Sequence, residues 1–306
     1  MKSKLNHIVV LKSLLIGALL IPAGCATVSN EPAEPDNAPR KEIFYAVTAS
    51  NQLISFNAGQ PQKILSKKPL SGLQAGEEIV GIDYRVAKGV LFALGRSAGD
   101  GRLYTIDTGS GKATQVGSGV LAVKPEGDEF GFDFNPTVDR IRVVSNTGQN
   151  MRLHPDTGAV VDSNANEPGI QTDGKLVYAA GDVNAGKSPA VVAAGYTYNK
   201  VNEKITTNYA IDAATESLVT QGTREGTTPA VSPNTGQLFT VGKLGTGAFA
   251  RAAFDIADTT GAAFIALTKA DGRASRFYLV NLDTGTATFM GTIGGGEPVR
   301  GMSFEP

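Results

Sequence analysis

The densest run of side chains that could do chemistry is FGFDFNPTVDRIRVVSNTGQNMRLHPDTG, residues 130–158. It contains Asp133, Asn135, Asp139, Arg140, Arg142, Asn146 and Arg152, which together form the candidate binding set. Carboxylates, amides and guanidiniums at this density serve one of two ends. They can hold an anion or polar ligand, or Arg140, Arg142 and Arg152 can pair with Asp133, Asp139 or Asp156 as a buried structural network. Structural pairing is the preferred reading.

Other chemistries are narrowed by what the chain lacks. His154 is the only histidine outside the first residues, so a three-histidine zinc site is excluded. A Ser-His-Asp arrangement would have to use His154, which sits at a strand end beside a turn. Cys25 is the only cysteine, so no intramolecular disulfide forms. Carboxylate chemistry stays open, because glycoside cleavage needs only two acids roughly 5–10 Å apart. Asp83, Asp133 and Asp255 are candidates by position, and Tyr84, Tyr196 and Tyr198 could stack on a sugar in a chain without Trp. The glycine-rich GTIGGGEP precedes a strand rather than a helix, which argues against a phosphate loop. A formal net charge of −1 suggests no nucleic-acid partner.

The elements that must position these residues form a repeat. GIDY (81–84), GFDF (131–134), GYTY (195–198), AFDI (253–256) and GMSF (301–304) share a small residue, a large apolar one, a small polar one and another large one. Period-two alternation marks each as a strand. Downstream lie strand–turn–strand segments such as RLYTIDTGSGKATQVG and FYLVNLDTGTATFMG. With the strands between them, the unit is a four-stranded antiparallel sheet of propeller-blade size. GMSF has no downstream partner, and residues 43–66 lack a first strand, so the two ends complete one blade. The reading is an all-β fold, a five-bladed β-propeller over residues 42–306 closed by its termini. Six blades stay open, because SPNTGQLF could start another strand pair.

In that ring the small polar positions are Asp83, Asp133, Thr197, Asp255 and Ser303, one per blade near the axis. They could coordinate a cation such as calcium, which takes several oxygen ligands. Alternatively each bonds a backbone N–H left over where blades meet, which repetition in every blade favours.

The N-terminus reads as export machinery. Lys2 and Lys4 precede the short apolar run SLLIGALLI and then PAGC, ending at Cys25. This resembles a bacterial lipoprotein signal, with Pro22 where the pattern usually has Leu. Residues 1–24 are then the signal, Cys25 carries the lipid, and 25–41, rich in Pro and acids, form a flexible tether. Ala26 after the cysteine points to the outer membrane, facing periplasm or surface. The domain would touch the membrane only through that anchor, as a monomer whose partner is an envelope protein or glycan.

VGIDYR, the 130–158 run, VYAAGD with VVAAGYTYN, and LDTGTATFMGTIGGGEPVRGM together resemble a bacterial family known as domain of unknown function 4394. The resemblance spans residues 42–304 and implies an exported, propeller-like domain. It implies no catalytic residue or ligand. The function expected is therefore a non-enzymatic binding module, with a carboxylate-dependent hydrolase or lyase at the channel mouth as the alternative.

Overall fold

The computed structural model describes residues 32–306; the signal-like segment and Cys25 lie outside the described residues. In chain order, blade 1 begins with β1 (Ile43–Thr48), β2 (Gln52–Asn57) and β3 (Gln60–Pro69). Blade 2 comprises β4 (Glu78–Arg85), β5 (Val90–Ser97), β6 (Asp100–Asp107) and β7 (Lys112–Val116). Blade 3 has three strands, β8 (Phe130–Asn135), β9 (Arg140–Ser145) and β10 (Asn150–Leu153). The segment β11 (Val177–Tyr178) leaves it to pair in parallel with a strand of blade 4.

Blade 4 is built from β12 (Val191–Tyr196), β13 (Asn208–Asp212), β14 (Ser217–Gln221) and β15 (Gln237–Lys243). Blade 5 contains β16 (Arg251–Ile256), β17 (Ala263–Thr268), β18 (Arg276–Val280) and β19 (Ala287–Thr292), and β20 (Val299–Phe304) then returns to blade 1. The fold is a five-bladed β-propeller. SPNTGQLF does not open a sixth blade, because its strand, β15, continues the ladder of β14.

Closure follows the expected exchange of termini. β20 pairs antiparallel with β1, with Tyr45 opposite Ser303 and Ala46 opposite Met302. An aromatic cluster seals the seam between blades 1 and 5. Phe264 stacks on Phe277 at 5.3 Å, and Phe44 meets both rings edge-on. Pairing both ends of the chain in one sheet removes the open edges that two separate termini would leave.

The innermost strands β4, β8, β12, β16 and β20 are neighbours around the axis. Each is covered on both faces by adjacent blades, so five of the six residues of β8 are buried. Alternation here is therefore small against large rather than polar against apolar. The small positions decide how closely blades approach. A Cβ on Gly131 would lie 2.6 Å from the Ala194 nitrogen, and one on Gly81 would lie 2.5 Å from Phe132 Cβ.

The packed chain also begins earlier than Glu42. Glu34 accepts the Thr292 N–H at 2.9 Å, Asn37 donates to the Met290 carbonyl, and Gln60 donates to the Asn37 carbonyl. The end of the expected tether thus lies against blades 1 and 5, held by side-chain and backbone hydrogen bonds that its composition does not announce.

Replacing Gly131 by Ala should destabilise the protein by about 2 kcal/mol, since the methyl meets backbone that cannot turn aside. Gly119→Ala, where nothing lies within 4 Å of the added carbon, is the control. Urea unfolding of the two variants checks this, and equal midpoints would refute the close-approach account.

Candidate functional site

The inner strands carry a cyclic set of hydrogen bonds that runs from blade to blade. Ser303 Oγ accepts the Tyr84 N–H at 3.1 Å, and Asp83 Oδ2 accepts the Phe134 N–H at 2.7 Å. Asp133 Oδ1 accepts the Tyr196 N–H at 3.0 Å, and Asp255 Oδ2 accepts the Phe304 N–H at 2.6 Å. In each case the donor is the residue that follows the next blade's own ring position. Ser303 also donates its hydroxyl to Asp83 Oδ1 at 2.8 Å.

Blade 4 corrects the expected ring. Because Tyr196 is the donor equivalent to Phe134, its ring position is Gly195, and Thr197 lies beyond the end of β12. Thr197 is half-buried and its hydroxyl accepts the Thr207 N–H instead. The pattern GYTY is displaced by two residues from the true match, AAGY. A two-residue slip preserves which face every side chain occupies, so periodicity does not detect it. With no side chain at Gly195, the Ile256 N–H has no acceptor from blade 4, and it donates to Asp255 Oδ1 at 2.6 Å.

The three aspartates converge: one carboxylate oxygen from each of Asp83, Asp133 and Asp255 lies within 4.8 Å of the others. All three residues are at least 94% buried. Burial pushes their carboxyls up, and mutual repulsion adds to it for Asp83 and Asp133, which lie well above the usual carboxylate range. Asp255 is raised to about 6, chiefly by burial, with the Phe304 and Ile256 N–H groups opposing. Three such oxygens and Ser303 Oγ could contribute to a calcium shell, with water completing the six to eight ligands that ion takes. Three negative charges at this spacing cannot coexist without a proton or a cation between them.

Above this floor is a cavity of about 360 Å³. Tyr84, Phe134, Tyr196, Tyr198 and Phe304 contribute aromatic lining, and Asn135, Asp139, Glu203 and Asp258 contribute polar groups. Asp258 is pushed up by burial, and its Oδ1 is shut from solvent without a hydrogen-bond donor. Arg85 is the cation in the wall, and it is fully engaged, with its guanidinium on Asp139 and on Asp156. Its pKa is raised, first by the hydrogen bonds it donates to Asp139, so it stays charged.

The remaining candidates of the 130–158 run divide. Asn135 caps its turn by accepting the Thr137 N–H at 2.9 Å and still faces the cavity. Arg142 is 1% exposed and donates to Asp173, Asn150, Asn234 and the Tyr196 hydroxyl. Arg152 makes a two-pronged pair with the same Asp173 at 2.8 Å. Neither offers an anion site, and neither uses Asp133, Asp139 or Asp156. Arg140 donates to the Val138 and Asp139 carbonyls, and Asn146 accepts the Asp128 N–H, away from the cavity. His154 is a turn residue whose Nδ1 accepts the Asp156 N–H.

Asp173, Asn234, Arg85, Glu203 and Asp258 were not among the residues picked out by sequence. Arg85 directly follows GIDY and had the clearest signal, as a charge at the end of an inner strand. Asp173 lies in the long segment between β10 and β12 and Asn234 in that between β14 and β15, where nothing in the repeat points to them.

Residues 52–303 match the family model described as "Domain of unknown function (DUF4394)". No curated protein matches the chain. Among solved structures, one in a nidogen/laminin complex is 11% identical, with a TM-score of 0.47 over 87% of this chain and 98% of that one. A putative 6-phosphogluconolactonase from Bacteroides fragilis is 13% identical, with a TM-score of 0.42 over 90% and 99%. At these identities and scores the likeness carries nothing about ligand or activity.

Two outcomes follow from this geometry. Asp173→Ala strands the buried Arg142 guanidinium without its carboxylate and should cost about 3 kcal/mol, against less than about 0.5 for Arg140→Ala, both read from chemical denaturation. The axial carboxyls bind more protons folded than unfolded between pH ~4 and their raised pKa values, so stability falls as pH rises through that window. For Asp255 the interval from 3.8 to about 6 corresponds to on the order of 3 kcal/mol. The melting temperature in amine-free, chelator-containing buffer should therefore drop between pH 5 and pH 8. Asp133→Asn, which keeps an acceptor for Tyr196, should flatten that slope; an unchanged slope would contradict the assignment.

Proposed function

The chain belongs to the family described as domain of unknown function DUF4394, and we propose that it works as a binding module of the cell envelope, taking a small molecule into the cavity on the propeller axis. The single observation that carries this is the cavity itself: about 360 Å³, walled by aromatic rings and floored by three buried carboxylates. Small-ligand sites have this size and this mixture of apolar wall and few convergent polar groups. In the proposal, Cys25 tethers the domain to the outer membrane, and the cavity meets solutes of the periplasm or the exterior.

Binding fits the floor better than glycoside cleavage does. The three carboxylates converge, and each already accepts a separate backbone N–H from the next blade. Glycoside cleavage needs one acid free to protonate the leaving group and a second free to attack or to activate water, with the substrate between them. A cavity of about 360 Å³ also suits a small molecule more than an extended glycan or a protein surface.

The test is native mass spectrometry of the chain purified from its own host and of the same chain re-exposed to the host's small-molecule extract. Ala87, exposed on the rim of the cavity, is changed to Trp as the blocking variant. A retained mass on wild type that Ala87→Trp loses is the expected result. No retained mass on wild type, or one indifferent to the block, would reject the cavity as a ligand site.

A further inference from the structure

The axial cavity joins an acidic floor to aromatic walls, and few classes of ligand satisfy both. We propose that it takes an organic cation with a primary ammonium group on an apolar body, the ammonium seated on Asp83, Asp133 and Asp255 and the body held between Tyr84, Tyr196 and Phe304. This rests on the reading of the cavity as a binding site and names its ligand class.

Charge comes first. The lining holds six carboxyl groups and one cation, Arg85, whose guanidinium is already committed to Asp139 and Asp156. Lys200, beside Asp258, gives its ammonium to the Thr259 carbonyl at 2.5 Å. An anionic ligand would meet repulsion with no uncommitted positive group among the lining residues to offset it.

Geometry narrows the cation. An ammonium donates three hydrogen bonds in tetrahedral directions, and at N–H···O lengths of 2.7–2.9 Å its acceptors stand about 4.6 Å apart. The triad oxygens, all within 4.8 Å of one another, are close enough to be reached by one such tripod. Asp133 has room for such a donor, since only its Oδ1 is engaged by a described residue.

Size separates an organic cation from a bare ion: the cavity is about ten times the volume of a water molecule, whose share of the liquid is about 30 Å³. A metal ion on the floor would leave the aromatic walls with nothing to enclose, whereas an amine's apolar body fills them and its charge faces ring π-systems as well as carboxylates.

Isothermal titration calorimetry on the purified chain tests this with 2-phenylethylamine, its neutral isostere 2-phenylethanol, its trimethylammonium analogue and calcium chloride. The amine is expected to bind wild type, with affinity at least about tenfold above the alcohol and the trimethylated form, since only the primary ammonium supplies charged N–H donors. Asp133→Asn should weaken the amine by a similar factor, and Arg140→Ala should leave it unchanged. If the amine and alcohol bind alike, or calcium binds the triad and amines do not, the proposal is overturned. A retained host molecule that proves neutral or anionic overturns it too, while leaving the cavity as a ligand site.

Discussion

The propeller depends on one problem of backbone chemistry. Five inner strands must pack edge to edge around an axis too narrow for their ladders to meet, and at each junction a backbone N–H is left facing the neighbouring blade. An N–H buried without a partner costs about 1–3 kcal/mol. Asp83, Asp133, Asp255 and Ser303 each accept such a group from the next blade. The ring of polar side chains is therefore part of the closure of the fold before it is anything else.

That solution creates the site. Short carboxylates placed to catch N–H groups on a common axis must also face one another, and burial then works against their charges. Where blade 4 supplies Gly195 in place of a fourth acid, the Ile256 N–H turns to Asp255. The residual negative charge is concentrated under a cavity whose own arginine is neutralised by Asp139 and Asp156. In the proposed site the structural bonds and a ligand would call on the same oxygens, and the second lone pair of each oxygen lets both be served.

The arginine network shows a different division of labour. Arg142 pairs across the ladder with Asp133 but sends its guanidinium elsewhere, and its Nε holds the Tyr196 hydroxyl at 3.1 Å and so fixes one wall of the cavity. Its carboxylate partner, Asp173, comes from the long excursion between β10 and β12, and Asn234 comes from that between β14 and β15. Both excursions interrupt the blade repeat. They enter it again as polar plugs that satisfy a buried guanidinium, which explains why such irregular segments are held in place.

Composition, strand periodicity and the recurrence of small–large–polar–large segments were enough for the propeller class, the closure by mixed termini and four of the five ring positions, while the choice of five blades over six needed the pairing of β15 with β14. These are properties of local pattern, and local pattern survives in a string of letters. Register in blade 4 was not legible, because a shift by two residues leaves the alternation unchanged and only the Tyr196 N–H contact with Asp133 distinguishes Gly195 from Thr197. The partners of Arg142 and Arg152 were equally hidden, since an ion pair is chosen by proximity in space, and Asp173 is brought near by an insertion with no repeat to predict its path. The cavity belongs wholly to the tertiary structure: its walls come from strands and loops of all five blades, and only ring closure places them around one axis.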